Sequence, residues 1–123
     1  MRAALLVFFL LMPSFAGAAD RPFIMVSTAL VASTIYDAET TYAGYNDRHP
    51  GVHEANPIAR PFVKAGRPAL YGFELGADAA VLYAAYRMKN SDSPTWRKVW
   101  WILPVTVTVG HIAAGTANLR FVF

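Results

Sequence analysis

The sequence predicts an all-α protein: an integral membrane helical bundle with three transmembrane helices after a signal peptide. Two observations support this fold class. Hydrophobic residues make up 55% of the 123 residues and charged residues 15%, whereas soluble domains have about 45–50% apolar and about 25% charged residues. The apolar residues also lie in four long runs separated by short polar stretches, and about 20 predominantly apolar residues are enough to cross a bilayer.

The composition excludes several other classes of protein. A chain this apolar and this poor in charge is not disordered. It contains no cysteine, which excludes a disulfide scaffold and a cysteine-based metal or redox site. Its net charge of +3 suits contact with anionic lipid headgroups. The basic residues are spread over loop ends and do not cluster on one face, so we expect the lipid bilayer and no nucleic acid as a partner.

The first run, residues 1–18, has the pattern of a secretory signal peptide. Arg2 precedes an apolar core at residues 3–12, Pro13 ends that core, and small residues follow at the cleavage positions. The alternative is an uncleaved first transmembrane helix, which would give four spans. In either case residues 19–123 form a single helical membrane domain, and we expect a multi-pass protein of a bacterial inner membrane.

The other three runs predict the three transmembrane helices, at residues 23–44, 69–86 and about 99–119. Pro22 and Pro68 precede the first two of these, and proline suits the first turn of a helix. Tryptophan, tyrosine and basic residues at the run ends are typical of anchors at the membrane interface. Basic residues are equally numerous on the two sides, so they leave the orientation open.

A short interfacial helix is predicted between the second and third runs. Asn56 and Pro57 suit an N-cap and a first helical position, residues 58–65 would form the helix, and Gly66 would end it. The glycines of the last two spans predict close helix packing through small residues. These glycines are Gly72, Gly76, Gly110 and Gly115.

Each predicted span carries one stripe of polar residues. Asp37 and Thr41 are four residues apart and share a helix face, as do Glu74 and Asp78. His111 lies on a similar stripe of the last span. Ionisable groups inside a membrane are costly and usually functional, so we expect the stripes to converge in the bundle interior. Together with the loop, they give this candidate site: Asp37, Thr41, Glu54, Asn56, Glu74, Asp78, His111 and Asn118.

The candidate site allows three kinds of chemistry. A divalent metal such as magnesium, manganese or zinc could be bound by Asp37, Glu54 and His111. The acids could instead pass protons, or one of them could act with the histidine as general acid or base. Structural roles remain open beside these: His111 as a packing residue, and Glu74 and Asp78 as partners of Arg60 or Arg67.

Two sequence motifs resemble a known family. Asp37-Ala38-Glu39-Thr40-Thr41 ends the first predicted span, and Glu54-Ala55-Asn56-Pro57 follows in the loop. Over about residues 30–120 this pattern is similar to small bacterial and archaeal membrane proteins of unknown function, whose last helix often carries a late asparagine. The resemblance carries over to these positions: Asp37, Thr40, Thr41, Glu54, Asn56, Pro57 and Asn118. This chain departs from the family pattern in its third helix, where Glu74 and Asp78 lie in the span that should carry an early basic residue.

Two functions follow from these patterns. The first is a structural or accessory membrane protein of otherwise unknown function, which associates with itself or with a larger membrane partner. The second is a membrane-embedded metal or proton-handling site, as in an enzyme or a transporter, built from the ionisable residues and Asn56. The sequence leaves open whether the protein is an enzyme and identifies no cofactor beyond that candidate divalent metal.

Overall fold

A computed structural model of the protein describes residues 21–45 and 54–123, and all regular secondary structure in these ranges is helical. The five helices of the described residues are α1 (Arg21–Tyr45), α2 (Arg60–Ala65), α3 (Arg67–Lys89), α4 (Pro94–Val99) and α5 (Ile102–Val122). The predicted signal peptide at residues 1–18 lies outside the described residues. The all-α prediction is thus confirmed for the part of the chain that the structure describes.

The three long helices α1, α3 and α5 form an up-down-up bundle. At one end the ring of Phe23 packs against that of Trp100, with centroids 5.6 Å apart. At the other end Gly44 of α1 lies beside Phe121 of α5, so these two helices run parallel. α3 runs antiparallel to both, because its last turns contact Phe23 and its first residue, Arg67, contacts α1 near its end. We call the two ends the Trp100 end and the Tyr45 end.

Helices α1 and α5 pack tightly at Gly115. A methyl group placed on Gly115 would lie 2.6 Å from the Tyr36 ring and 3.2 Å from the Asp37 Cα atom. The other glycines expected to pack (Gly72, Gly76 and Gly110) have no atom of the described residues within 4 Å of such a methyl group. Small-residue packing within the described bundle therefore occurs at Gly115 and not at these three positions.

The helix predicted over about residues 99–119 corresponds to α5, and a separate short helix, α4, precedes it. α4 ends at Val99, α5 begins at Ile102, and Pro104 follows in the first turn of α5. Proline has no N–H group to donate to the carbonyl four residues earlier and its ring clashes with that carbonyl. In this chain that carbonyl belongs to Trp100, which explains why the helical pattern breaks there.

The connection between α1 and α3 contains a helix shorter than the predicted one. α2 begins at Arg60, and Pro57 and Ile58 form a turn before it. The Asn56 Oδ1 accepts a hydrogen bond from the Ile58 N–H at 3.0 Å and so caps this turn, whereas the N-cap residue of α2 is Ala59, which makes no side-chain cap hydrogen bond. Gly66 ends α2 with φ 110°, as expected of a glycine stop.

One helical segment of the described residues, Pro94–Val122, is long and apolar enough to cross a membrane. It comprises α4 and α5. Several of its large apolar side chains are exposed on the bundle surface, among them those of Trp101, Ile102, Val109 and Ile112. A single segment of this kind gives weak support for association with a membrane.

Candidate functional site

All eight residues of the predicted site line one cavity of about 660 Å³. The cavity lies between α1, α3, α5 and the loop before α2, and it extends from the middle of the bundle to the Tyr45 end. The predicted residues that line it are Asp37, Thr41, Glu54, Asn56, Glu74, Asp78, His111 and Asn118. The polar stripes of the three long helices therefore meet in the interior of the bundle.

Asp37 of α1 connects to two residues of α5. Its Oδ2 lies 2.8 Å from His111 Nδ1, and its Oδ1 accepts a hydrogen bond from Asn118 Nδ2 at 3.3 Å. Asn118 Nδ2 also donates to Thr41 Oγ1 at 2.9 Å. The three contacts are possible because Asp37 and Thr41 are one turn apart on α1, and His111 and Asn118 are two turns apart on the facing side of α5.

Asp78 is the middle residue of α3 and is 2% exposed. Its Oδ2 accepts a hydrogen bond from Thr34 Oγ1 of α1 at 2.7 Å. Its Oδ1 faces His111 Nε2 at 4.0 Å. Asp78 therefore contacts α1 directly and approaches the imidazole from the side opposite Asp37.

His111 thus lies between two carboxylates on different helices, and we call Asp37, His111 and Asp78 the Asp–His–Asp relay. An ionised carboxylate can only accept hydrogen bonds, so with Asp37 ionised the Nδ1–H of His111 donates to it. Nε2 then faces Asp78 across a gap of 4.0 Å, which is longer than a hydrogen bond. An imidazole can bind a proton at one nitrogen and release one at the other.

Glu74 lies one turn before Asp78 on α3 and lines the same cavity. Its Oε2 is buried and has no hydrogen-bond partner among the described residues. A buried charged oxygen without a partner is costly. Glu74 is therefore the member of the site whose bonding is least complete.

The pairing of Glu74 or Asp78 with Arg60 or Arg67, which the sequence left open, does not occur in the structure. Arg67 pairs with Glu39 of α1 at 3.1 Å, and Arg60 Nε donates to the Glu54 carbonyl at 3.0 Å. Both arginines lie at the Tyr45 end, while Asp78 lies at the middle of α3. Each arginine therefore binds a group at the same end of the bundle.

Glu54 and Asn56 reach the cavity from the loop before α2. Glu54 Oε1 accepts a hydrogen bond from the Asn56 N–H at 2.9 Å, which fixes the turn that carries both side chains. Among the described residues, no three histidine, aspartate or glutamate side chains are arranged to hold a metal ion. The metal site predicted from Asp37, Glu54 and His111 remains a prediction.

The predicted site omits some residues that the structure brings to it. Thr34 hydrogen-bonds to Asp78 and lies three residues before Asp37, so its helical spacing was a usable signal. Phe73 and Arg120 line the cavity. Nothing in the sequence marks an aromatic residue next to Glu74, or a basic residue near a helix end, as part of an interior site.

The comparisons with known proteins agree with an uncharacterised family. Residues 28–123 match the family model described as "Domain of unknown function (DUF5658)", and the chain belongs to this family. No curated protein and no solved structure matches the chain. The matched region includes all but the first seven residues of α1 and every later helix of the described residues.

Proposed function

We propose that the protein is a multi-pass protein of a bacterial inner membrane that handles protons at the Asp–His–Asp relay. The observation that carries this proposal is the position of His111 between Asp37, at 2.8 Å, and Asp78, at 4.0 Å. Chains of acids and histidines inside a membrane are typical of proton relays. The cavity beside the relay supplies the space through which protons would exchange with water at the Tyr45 end.

The lengths of the long helices support three membrane crossings. At 1.5 Å per residue, the 25, 23 and 21 residues of α1, α3 and α5 span about 37, 34 and 31 Å. The hydrocarbon core of a bilayer is about 30 Å thick. The large side chains on the outside are apolar in the first and last helices, whereas the ionisable side chains of the relay are directed inward. The exposed apolar residues of α1 include Ile24, Met25 and Ile35.

The proposed step moves one proton between helices. Asp78 and Nε2 of His111 first approach from 4.0 Å to hydrogen-bond distance. Protonated Asp78 then gives its proton to Nε2, and the Nδ1 proton passes to Asp37 over the 2.8 Å contact. The step leaves Asp78 ionised, Asp37 protonated and the imidazole in its other tautomer, so that the ring must rotate or the step must reverse before the next transfer. At the Trp100 end, an apolar cluster around Phe23, Ala85 and Trp100 closes the bundle, so exchange with water is expected at the Tyr45 end.

A structural or accessory role is the competing function. It is favoured by the same network, because Asp37, His111 and Asn118 join α1 to α5 whether or not protons move. The two functions differ in one measurable property. A structural network keeps one protonation state, whereas a relay changes its protonation with the pH of the water in the cavity.

Nitrogen-15 NMR of histidine-labelled protein in detergent micelles or nanodiscs tests the proposal. His111→Gln identifies the His111 signals, and the ring nitrogens are followed from about pH 4 to pH 9, the range in which histidine normally titrates. We expect both ring nitrogens of His111 to change with pH, and the titration to move in Asp78→Asn. The matched control is Asp92→Asn, an exposed carboxylate in the turn before α4, which should leave the titration unchanged.

Two results would contradict the proposal. His111 signals that stay constant over the whole pH range would identify a fixed, structural network. A titration that is identical in wild type and in Asp78→Asn, with both proteins folded by circular dichroism, would remove Asp78 from the relay and leave no path across the imidazole.

A further inference from the structure

We infer that the cavity binds a small organic cation, an ammonium compound, with Glu74 as its counter-charge. The inference rests on the proposed function, because it names the substrate class of the same site. A cation and the protons of the relay would compete for the carboxylates of one acidic cavity. Three independent properties of the cavity lead to it: its charge, its aromatic lining and its size.

The ionisable side chains that line the cavity are mainly acidic. Its only basic side chains among the described residues are those of His111 and Arg120. His111 contacts Asp37, and the Arg120 guanidinium lies 4.6 Å from the centroid of the Phe121 ring. The carboxylates are four: Asp37, Glu54, Glu74 and Asp78.

Glu74 is the carboxylate that a ligand would satisfy. Asp37 already accepts from His111 and Asn118, and Asp78 accepts from Thr34. Oε2 of Glu74 is buried without a partner among the described residues. Glu74 lines the cavity, so a rotation of its carboxylate would let a cation in the cavity donate N–H groups to it and remove the cost of the unpaired oxygen, since buried charges are stable only when paired and hydrogen-bonded.

Aromatic residues line the cavity together with Glu74. Phe73 precedes Glu74 on α3, and its ring is stacked on that of Phe62 with centroids 4.2 Å apart and planes 10° apart, which holds it in place. Tyr45 and Phe121 line the wall formed by α1 and α5. Aromatic faces attract ammonium groups by cation–π interaction, and this attraction increases when the cation is desolvated.

The volume favours an organic cation over a bare ion. Sites for small organic ligands usually have about 300–1,000 Å³, and this cavity has about 660 Å³. A single ion would leave most of that space and the aromatic wall without contacts. An ammonium group carried on an apolar body fills both.

Isothermal titration calorimetry on the full-length protein in detergent tests the inference. The probes are benzylammonium, which has the charge and the apolar body, neutral benzyl alcohol and anionic benzoate. We expect saturable binding of benzylammonium that weakens as the pH is lowered, with no saturable binding of the other two probes. Detergent without protein measures the contribution of partitioning into micelles.

Glu74→Gln and Asp92→Asn form a matched pair, since each removes one carboxylate and keeps a side chain of the same size. We expect Glu74→Gln to weaken benzylammonium binding at least tenfold and Asp92→Asn to leave it within about twofold of wild type. Equal binding of benzyl alcohol and benzylammonium by the wild type would overturn the inference, whatever the folding of the variants. Equal affinity of folded Glu74→Gln and wild type would also overturn it.

The failure of this inference is distinguishable from that of the proposed function. If His111 titrates through Asp78 in the NMR experiment but benzylammonium does not bind, the relay remains and the ligand class is wrong. If benzylammonium binds through Glu74 and His111 does not titrate, the cavity is a cation site and the relay is wrong.

Discussion

Substitution of Gly115 tests how the contact between α1 and α5 supports the site. A methyl group at residue 115 would lie 2.6 and 2.7 Å from two carbons of the Tyr36 ring and 3.2 Å from the Asp37 Cα atom, whereas ordinary contact begins at 3.4 Å. The ring can rotate away, although its hydroxyl lies 3.4 Å from Thr116 Oγ1. The Asp37 backbone can move only with α1.

The free-energy change has two opposing parts. Forcing an extra methyl group into a packed interface costs about 1–3 kcal/mol. Replacing a helical glycine by alanine returns about 0.5–1 kcal/mol. We therefore expect Gly115→Ala to lower the free energy of unfolding by up to about 2.5 kcal/mol. His111 lies one turn before Gly115, so separation of the helices also lengthens its contact with Asp37.

Thermal unfolding followed by circular dichroism in one detergent measures this prediction. Gly110→Ala is the control on the same helix, since a methyl group there meets no described atom within 4 Å. We expect a lower Tm for Gly115→Ala and an unchanged or higher Tm for Gly110→Ala. If Gly115→Ala melts at or above the temperature of Gly110→Ala, the close contact between α1 and α5 does not exist as described.

Two further predictions concern the connection between α1 and α3. Gly66 has φ 110°, a conformation that costs other residues about 1–3 kcal/mol, so we expect Gly66→Ala to lower the Tm. Gly72→Ala, at an exposed helical position, is the control and should not lower it. Equal melting temperatures of the two variants would argue against that backbone conformation. The Arg67–Glu39 pair joins side chains that are 46% and 41% exposed, so a double-mutant cycle of Arg67→Gln and Glu39→Gln should give a coupling energy below about 1 kcal/mol. A coupling energy of several kcal/mol would mean that solvent does not reach this pair.

The helices and the position of the site were predictable because both follow from periodicity. Long apolar runs predicted α1, α3 and α5, and four-residue spacings assigned Asp37 with Thr41 and Glu74 with Asp78 to common faces. Polar faces of apolar helices avoid lipid by turning toward one another. This requirement is sufficient to bring the three stripes to one cavity without knowledge of the loops.

The individual partners within the site could not be predicted from spacing. Which base meets which acid depends on the height of each residue along its helix and on the relative rotation of the helices. Arg60 and Arg67 were plausible partners for Asp78 by charge alone, yet they lie at the Tyr45 end while Asp78 lies at the middle of α3. The base that approaches Asp78 comes from α5, seventy-four residues after Asp37, and it is shared with that residue.

The resemblance implied a basic residue early in the third helix, and α3 begins with Arg67, which pairs with Glu39 of α1 at the Tyr45 end. The middle of α3 contributes acids instead. Thr34 of α1 hydrogen-bonds to Asp78, and His111 of α5 approaches the same carboxylate. The single imidazole therefore serves carboxylates on two helices.

The bonded and unbonded parts of the site separate its structural role from its functional one. Asp37, Asn118 and Thr41 form contacts that hold α1 against α5, and these contacts would be expected in a protein with a purely structural role. The buried Oε2 of Glu74 accepts no hydrogen bond from the described residues, and an apolar side chain at that position would avoid the cost of an unpaired buried oxygen. The proposed ligand, or a proton, would satisfy that oxygen, so variants of Glu74 test a functional role of the cavity more directly than variants of the bonded residues do.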